Sequence, residues 1–289
     1  MDPKDAAKLQ RSIDVVHSMT YFVPETEAHL VAVGLRPGRM CYFAGRAAPM
    51  GAVTGGVVAA TFYNFNPVMV AKHVPRAWTL ATPEVVVAAR FRSVDAALRR
   101  LLGETASSPE ISEAADLART ASQACTTEGR PLYAGHADLD WPGEPLLDLW
   151  HGTSLLREHR GDAHLAALLG AGLSGLEALV THTATGRGFT RQAAQLTRGW
   201  TEDQWSVAED GLRERGLLDR DGALSAAGAA HRAAVEDATS RACTAPWEHL
   251  GPERSARLAE IGTGLTRRLL AAGVFPDGVL STAPGRATG

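Results

Sequence analysis

The sequence predicts an all-α fold, and two observations carry that expectation. Several segments open with a helix-capping side chain followed directly by proline, as at Asn66-Pro67, Thr82-Pro83 and Ser108-Pro109. Proline is favoured at a first helical position, because the N–H it lacks would have no partner there. Apolar residues also recur at helical spacing, for example Val85, Val86, Ala89, Val94, Ala97 and Leu98. Helices are therefore expected near 25–34, 51–63, 67–74, 83–102 and 109–126.

At 289 residues the chain can bury one large core or two ordinary ones. Gly129-Arg130-Pro131 and Asp140-Trp141-Pro142-Gly143 interrupt the helical pattern. They suggest an N-terminal helical domain over 1–140, a second domain over 141–280 and a flexible tail over 281–289. Cys41, Cys125 and Cys243 stand far apart, which argues against a disulfide framework or a thiolate zinc site. The first twelve residues lack the apolar stretch of a signal peptide, so a cytoplasmic location is expected. The weakly polar run from Ala47 to Tyr63 is shorter than the ~20 residues of a bilayer span and rich in glycine and threonine. No membrane partner is expected.

In the second half the order of parts becomes specific. A helix is expected from Glu144 to Arg160, stopped by Gly161, with Asp162 capping the next. Short helices over His164–Gly170 and Gly175–Thr183 would make a helix-turn-helix. A helix then runs from Thr201 into Leu212-Arg213-Glu214-Arg215-Gly216-Leu217-Leu218, followed by the turn Asp219-Arg220-Asp221-Gly222. Leu224-Ser225-Ala226-Ala227-Gly228 opens another long helix. This succession resembles the recognition helix, very short β wing and exit helix of MarR-like winged helices. The whole chain also resembles an uncharacterised actinobacterial helix-turn-helix family, through strings such as Arg46-Ala47-Ala48-Pro49-Met50-Gly51, Phe62-Tyr63-Asn64-Phe65-Asn66-Pro67 and Arg157-Glu158-His159-Arg160-Gly161-Asp162-Ala163-His164.

The MarR-like resemblance implies a homodimer that reads DNA, with the recognition helix in the major groove. The charges fit that role poorly. The chain carries a formal net charge of −3. Between Thr201 and Ser240, nine acids (Glu202, Asp203, Glu209, Asp210, Glu214, Asp219, Asp221, Glu236, Asp237) face four arginines (Arg213, Arg215, Arg220, Arg232). Phosphates would meet repulsion over that stretch, relieved only by a modest basic edge from Arg187, Arg191 and Arg198. DNA is a disfavoured partner and a homodimer stays open.

The densest chemistry lies just before the winged helix. Glu158, His159, Asp162 and His164 are candidate catalytic residues, because a carboxylate that orients an imidazole suits proton transfer near neutral pH. Arg46, Tyr63, Trp150, His151 and Arg160 are candidate ligand-binding residues: two arginines for an anion, aromatic rings for walls and an imidazole seven residues from Glu158. The histidine and carboxylate spacing matches no metal signature, so no metal is expected. Phosphate loop, dinucleotide fingerprint and nucleophile elbow are missing from the sequence, and no cofactor is expected. The leading expectation is a small-molecule-binding protein on a repurposed winged-helix scaffold, able to support redox-cofactor-independent acid/base chemistry on a small organic ligand. The rival is a MarR-like ligand-responsive DNA-binding regulator.

Overall fold

A computed structural model describes residues 1–186 and 188–275. Among them the chain is helical throughout, with no β-strand. The expected tail and Arg187 of the expected basic edge lie outside the described residues.

The proline-led starts follow from local chemistry. Helix α1 (Pro3–Ser18) begins where the Asp2 side chain accepts the Lys4 N–H. It ends in a tight turn at Met19–Tyr21. Helices α2 (Pro24–Ala32), α3 (Arg39–Ala47) and α4 (Gly55–Phe62) follow. Two short helices, α5 (Pro67–Ala71) and α6 (Val74–Ala77), lead to α7 (Pro83–Leu102) and α8 (Pro109–Ser122). The small α9 (Pro131–Ala137) precedes α10 (Pro145–Gly170), which runs for 26 residues.

The stop expected at Gly161 does not occur. Helix α10 passes straight through it, and His164–Gly170 forms its last turns instead of a separate helix. The glycines of α10 make room. A Cβ at Gly152 would stand 2.9 Å from the Ala118 methyl of α8, and one at Gly161 would press within 3.3 Å of the Glu158 carboxylate. Asp162 caps another helix altogether, accepting the N–H groups of Leu132 and Tyr133 at 3.0 and 2.9 Å at the start of α9.

The remaining helices are α11 (Gly175–Thr183), α12 (Arg191–Arg198), α13 (Glu202–Glu214), α14 (Ala226–Arg241), α15 (Ala245–Leu250) and α16 (Pro252–Ala271). Reciprocal capping boxes, Ser174 with Glu177 and Thr201 with Gln204, start α11 and α13. Helices α12 and α13 meet across Gly199, which closes α12 in the left-handed conformation (φ 76°) that glycine adopts without penalty. After α13 the chain turns back through an isolated antiparallel bridge between Leu218 and Leu224.

The largest apolar cluster runs from Ala6 to Val274 and joins α1, α7, α8, α10, α15 and α16 around Trp150 and Trp247. It draws residues from both sides of the segment between α9 and α10, where a boundary was expected. A second cluster fills the space between the end of α10 and α11–α14, with Trp205 and Leu212 at its centre. The loop Tyr63–Asn66 ties the N-terminal helices to this unit. The Tyr63 hydroxyl donates to the Leu173 carbonyl, and the Asn66 N–H and side chain donate to the carbonyls of Arg198 and Gly199 at 2.8 and 2.9 Å. The Trp200 indole donates to the Asn64 carbonyl at 2.8 Å. At this junction a Cβ on Gly175 would fall 1.9 Å from the Tyr63 carbonyl oxygen. Gly175→Ala is therefore expected to lower stability by about 2–4 kcal/mol, in the range of an overpacking change with no soft neighbour to yield. Gly170→Ala, with open space around its Cβ, is expected to be neutral or stabilising by up to about 1 kcal/mol. Urea unfolding of both variants checks the contrast.

Candidate functional site

Five helices and the turn after α1 send polar side chains to one buried place. Helix α3 supplies Tyr42 and Arg46, one turn apart. Helix α7 supplies Arg90 from a face otherwise made of Val86, Ala89, Ser93 and Val94. Helix α10 supplies Trp150, Ser154 and Glu158 at intervals of four, hence along one face. His17 ends α1, Tyr21 follows it in the turn, and His136 comes from α9.

The centre is the pair Arg46–Glu158. Arg46 Nη2 and Nε donate to the two oxygens of Glu158 at 2.8 and 3.2 Å. The carboxylate side chain is 1% exposed and the guanidinium side chain 17%. Burial alone would raise the pKa of Glu158, but the charge and hydrogen bonds of Arg46 outweigh it and hold the carboxyl well below its usual range.

A second layer of hydrogen bonds fixes the histidines. The Ser154 hydroxyl donates to the Trp150 carbonyl at 2.7 Å and so accepts from His17 Nδ1, also at 2.7 Å. His17 Nε2 then presents a lone pair to the Tyr21 hydroxyl at 3.0 Å, with Glu158 Oε1 3.7 Å away. Burial holds the His17 pKa well below its ordinary value, consistent with a neutral ring. By the same logic His136 donates from Nδ1 to the Leu132 carbonyl at 2.8 Å and accepts Arg90 Nη1 on Nε2 at 3.1 Å. Burial, followed by the charge of Arg90, brings its pKa down to about 4. Burial and the nearby Glu158 charge push the Tyr21 phenol up to about 12.

This network backs a pocket of about 290 Å³ whose lining includes Tyr21, Tyr42, Arg46 and Arg90. Phe22 and Glu27 also line it. The arrangement can bind an anion through guanidinium groups and stack a planar group on tyrosine rings.

The sequence-selected residues separate in space. Glu158 and Arg46 meet at the pocket's inner wall, and Trp150 stacks on His17 behind it at 5.9 Å between ring centroids. His151, 1% exposed, points toward Phe91 and Trp141, and neither ring nitrogen has a hydrogen-bond partner. His159 meets the Tyr133 ring edge-on, away from the pocket. Asp162 caps α9, His164 shares a hydrogen bond with Thr239 of α14, and Arg160 reaches Ser240 and Glu236 of the same helix. Tyr63 sits at the junction with the C-terminal unit. The residues that sequence reasoning passed over are His17, Tyr21, Tyr42, Arg90 and Ser154. The available signals were an arginine on the apolar face of α7 and a His-Tyr pair four apart. Among the described residues no three His, Cys, Asp or Glu side chains are placed to hold a metal ion.

The surface of α13 can also be read. Glu202, Asp203, Asp210 and Glu214 are exposed. The neighbouring arginines are engaged within the protein: Arg191 with Glu202 and Glu209, Arg213 with Glu209 and Asp210, and Arg215 with Glu177. Arg198 is packed between the rings of Phe65 and Phe189.

The architecture is that of an all-helical protein, in which the first helix of the expected helix-turn-helix, His164–Gly170, is the end of α10. Residues 6–276 match a helix-turn-helix family, and the chain belongs to that family. No curated protein and no solved structure matches the chain. No single described helix is long and apolar enough to cross a membrane.

The buried histidines make stability pH-dependent. Burial depresses His136, His159 and His164 to about 4 and His151 to about 3. A base whose folded pKa lies below its unfolded value of ~6.5 contributes fully above that pH and loses its contribution as pH falls toward the folded value. Asp162, raised by burial to about 6, acts oppositely and gains stability as pH falls through that value. Four bases outweigh one acid, so the melting temperature should fall between about pH 6.5 and pH 4. Because His151 makes no hydrogen bond that a substitution would forfeit, His151→Phe should reduce that fall in thermal unfolding followed by circular dichroism. An unchanged pH profile would contradict the assignment.

Proposed function

We propose that the chain is a small-molecule-binding protein on a helix-turn-helix scaffold, with a small organic ligand seated in the pocket lined by Tyr21, Tyr42, Arg46 and Arg90. The observation that carries this reading is the convergence of α1, α3, α7, α9 and α10 on one buried polar network that opens into a cavity. Polar groups withdrawn from water at such cost favour a site that recognises polar features of a ligand. The volume lies at the lower edge of the usual ~300–1,000 Å³ range, which suits a compact metabolite. The Tyr21–His17 hydrogen bond fixes the phenol at the pocket wall as a ligand-positioning group. With Tyr21 raised to about 12 and His17 held well below its ordinary value, the pair exchanges no proton near neutral pH. His159 meets Tyr133 and His164 meets Thr239, so neither carries an acid/base role in this proposal.

Thr26 also lines the pocket, and Thr26→Trp is expected to fill it without touching the network. Native mass spectrometry after incubation with a metabolite extract should show a small organic molecule retained by the wild type and lost from Thr26→Trp, with unchanged circular dichroism. Equal retention by both proteins, or none by the wild type, would contradict the reading.

Membership in a helix-turn-helix family favours one further reading, a MarR-like ligand-responsive DNA-binding regulator acting as a dimer. Its recognition helix would be α13 and its wing the Leu218–Leu224 bridge. Arg191, Arg213 and Arg215 are paired with neighbouring carboxylates, which leaves the exposed Arg220 among acids as the positive charge available to phosphates. The ligand-binding reading accordingly predicts no preference for the DNA upstream of its own gene over competitor DNA at about 150 mM salt, measured by fluorescence anisotropy. A preference of tenfold or more that Arg220→Ala abolishes would establish the regulator instead.

A further inference from the structure

We infer that the pocket is a receptor for a small aromatic monocarboxylate, whose carboxylate is bound by Arg90 and the outward edge of Arg46. The inference rests on the ligand-binding reading and specifies its chemistry. It starts from a charge imbalance. The buried network holds two guanidinium groups, Arg46 and Arg90, and one carboxylate, Glu158, while hydrogen bonding leaves His17 and His136 as neutral rings. The sum within this buried network is one positive charge in excess; Glu27, which also lines the pocket, is exposed and accepts the Gly38 N–H.

Arg46, which lines the pocket, is matched by Glu158 through Nε and Nη2, and its Nη1 has no hydrogen bond among the described residues. Arg90 is the unmatched charge. Its residue exposure is 4%, and its described hydrogen bonds go to neutral acceptors, His136 Nε2 at 3.1 Å and the Tyr21 hydroxyl at 3.4 Å. The Trp150 ring, 4.9 Å from the guanidinium carbon, supplies a cation–π contact. Such contacts contribute about 0.5–2 kcal/mol, less than the several kcal/mol that withdrawing an ion from water costs. An anion delivered through the pocket would offset the difference.

The size of the excess selects the ligand's charge. One carboxylate brings the network to neutrality, whereas a dianionic phosphate would leave a negative charge buried behind the pocket. The planar carboxylate also suits guanidinium donors, as the Arg46–Glu158 pair itself illustrates. Tyr21 and Tyr42, tilted at 55° with centroids 5.4 Å apart, line the cavity and offer ring surface to an aromatic body.

The test uses benzoate, phenylacetate and 4-hydroxybenzoate against their primary amides, which keep shape and lose charge, with inorganic phosphate as a third probe. Calorimetric titration of the full chain should show the carboxylates bound at least tenfold more tightly than the amides and than phosphate. Arg90→Gln, which keeps a donor for His136, should erase that preference. Where Arg90→Gln does not fold, the carboxylate-to-amide ratio on the wild type decides alone. Amides binding as well as acids, tighter binding of phosphate, a preference that survives Arg90→Gln, or no binding of any probe overturns the inference. Failure of the underlying reading has its own signature: carboxylate binding that persists unchanged in Thr26→Trp places the ligand elsewhere.

Discussion

The Arg46–Glu158 pair is the interaction on which the rest of the molecule depends. It joins α3 to the middle of α10, the helix that also carries Trp150 and Ser154 and packs against α1, α7, α8, α9 and α14. A carboxylate with 1% exposure is tolerated only because the guanidinium meets both its oxygens. Breaking such a pair by removing one partner typically costs about 3–5 kcal/mol, because the remaining charge is stranded. Gly161 serves the same pair, since any side chain there would crowd the Glu158 carboxylate. On the same helix the Trp150 carbonyl and Ser154 hydroxyl orient His17, whose lone pair takes the Tyr21 hydroxyl, and that hydroxyl accepts Arg90.

The second half of the molecule is bound to this centre through packing. Arg46 lies over the Phe62 ring at 4.6 Å, Tyr42 contacts Phe65, and Phe65 lies under Arg198 of α12 at 4.6 Å. Asn66 then holds the turn between α12 and α13 by its backbone and its side chain. The pocket wall and the α11–α14 unit thus share a continuous set of contacts. The exposed charge of α13 is spent on ion pairs with its own neighbours, each worth little to stability at ~0–1 kcal/mol. Their greater effect is to occupy the arginines.

Much of the fold was legible in the sequence, because helix starts are local. Asn66-Pro67, Thr82-Pro83, Ser108-Pro109 and Thr201 each announce a helix that forms where expected, although the expected side-chain cap forms at Asn66 and not at Thr82 or Ser108. Gly161 misled because a glycine inside a helix reads as a stop unless the carboxylate it accommodates is known. Asp162 misled similarly, since its partners at Leu132 and Tyr133 are thirty residues away. The site was legible only in part. Glu158 stood out within a charged run, but the side chains that meet it, His17, Tyr21, Arg46, Arg90 and His136, come from four other stretches of chain. Proximity in sequence grouped Glu158 with His159, Asp162 and His164, which successive turns of α10 direct to different neighbours. Convergence across helices is a tertiary property, and no local pattern encodes it.

The account's central claim is that the pocket beside Arg46 and Arg90 is built to hold a small organic ligand. A crystal structure of the protein grown with benzoate tests it most directly. The account predicts carboxylate density between Arg90 and Arg46 Nη1, the ring against Tyr21 or Tyr42, and the Arg46–Glu158 pair intact. Water alone in the pocket, with benzoate absent or bound elsewhere, would contradict it.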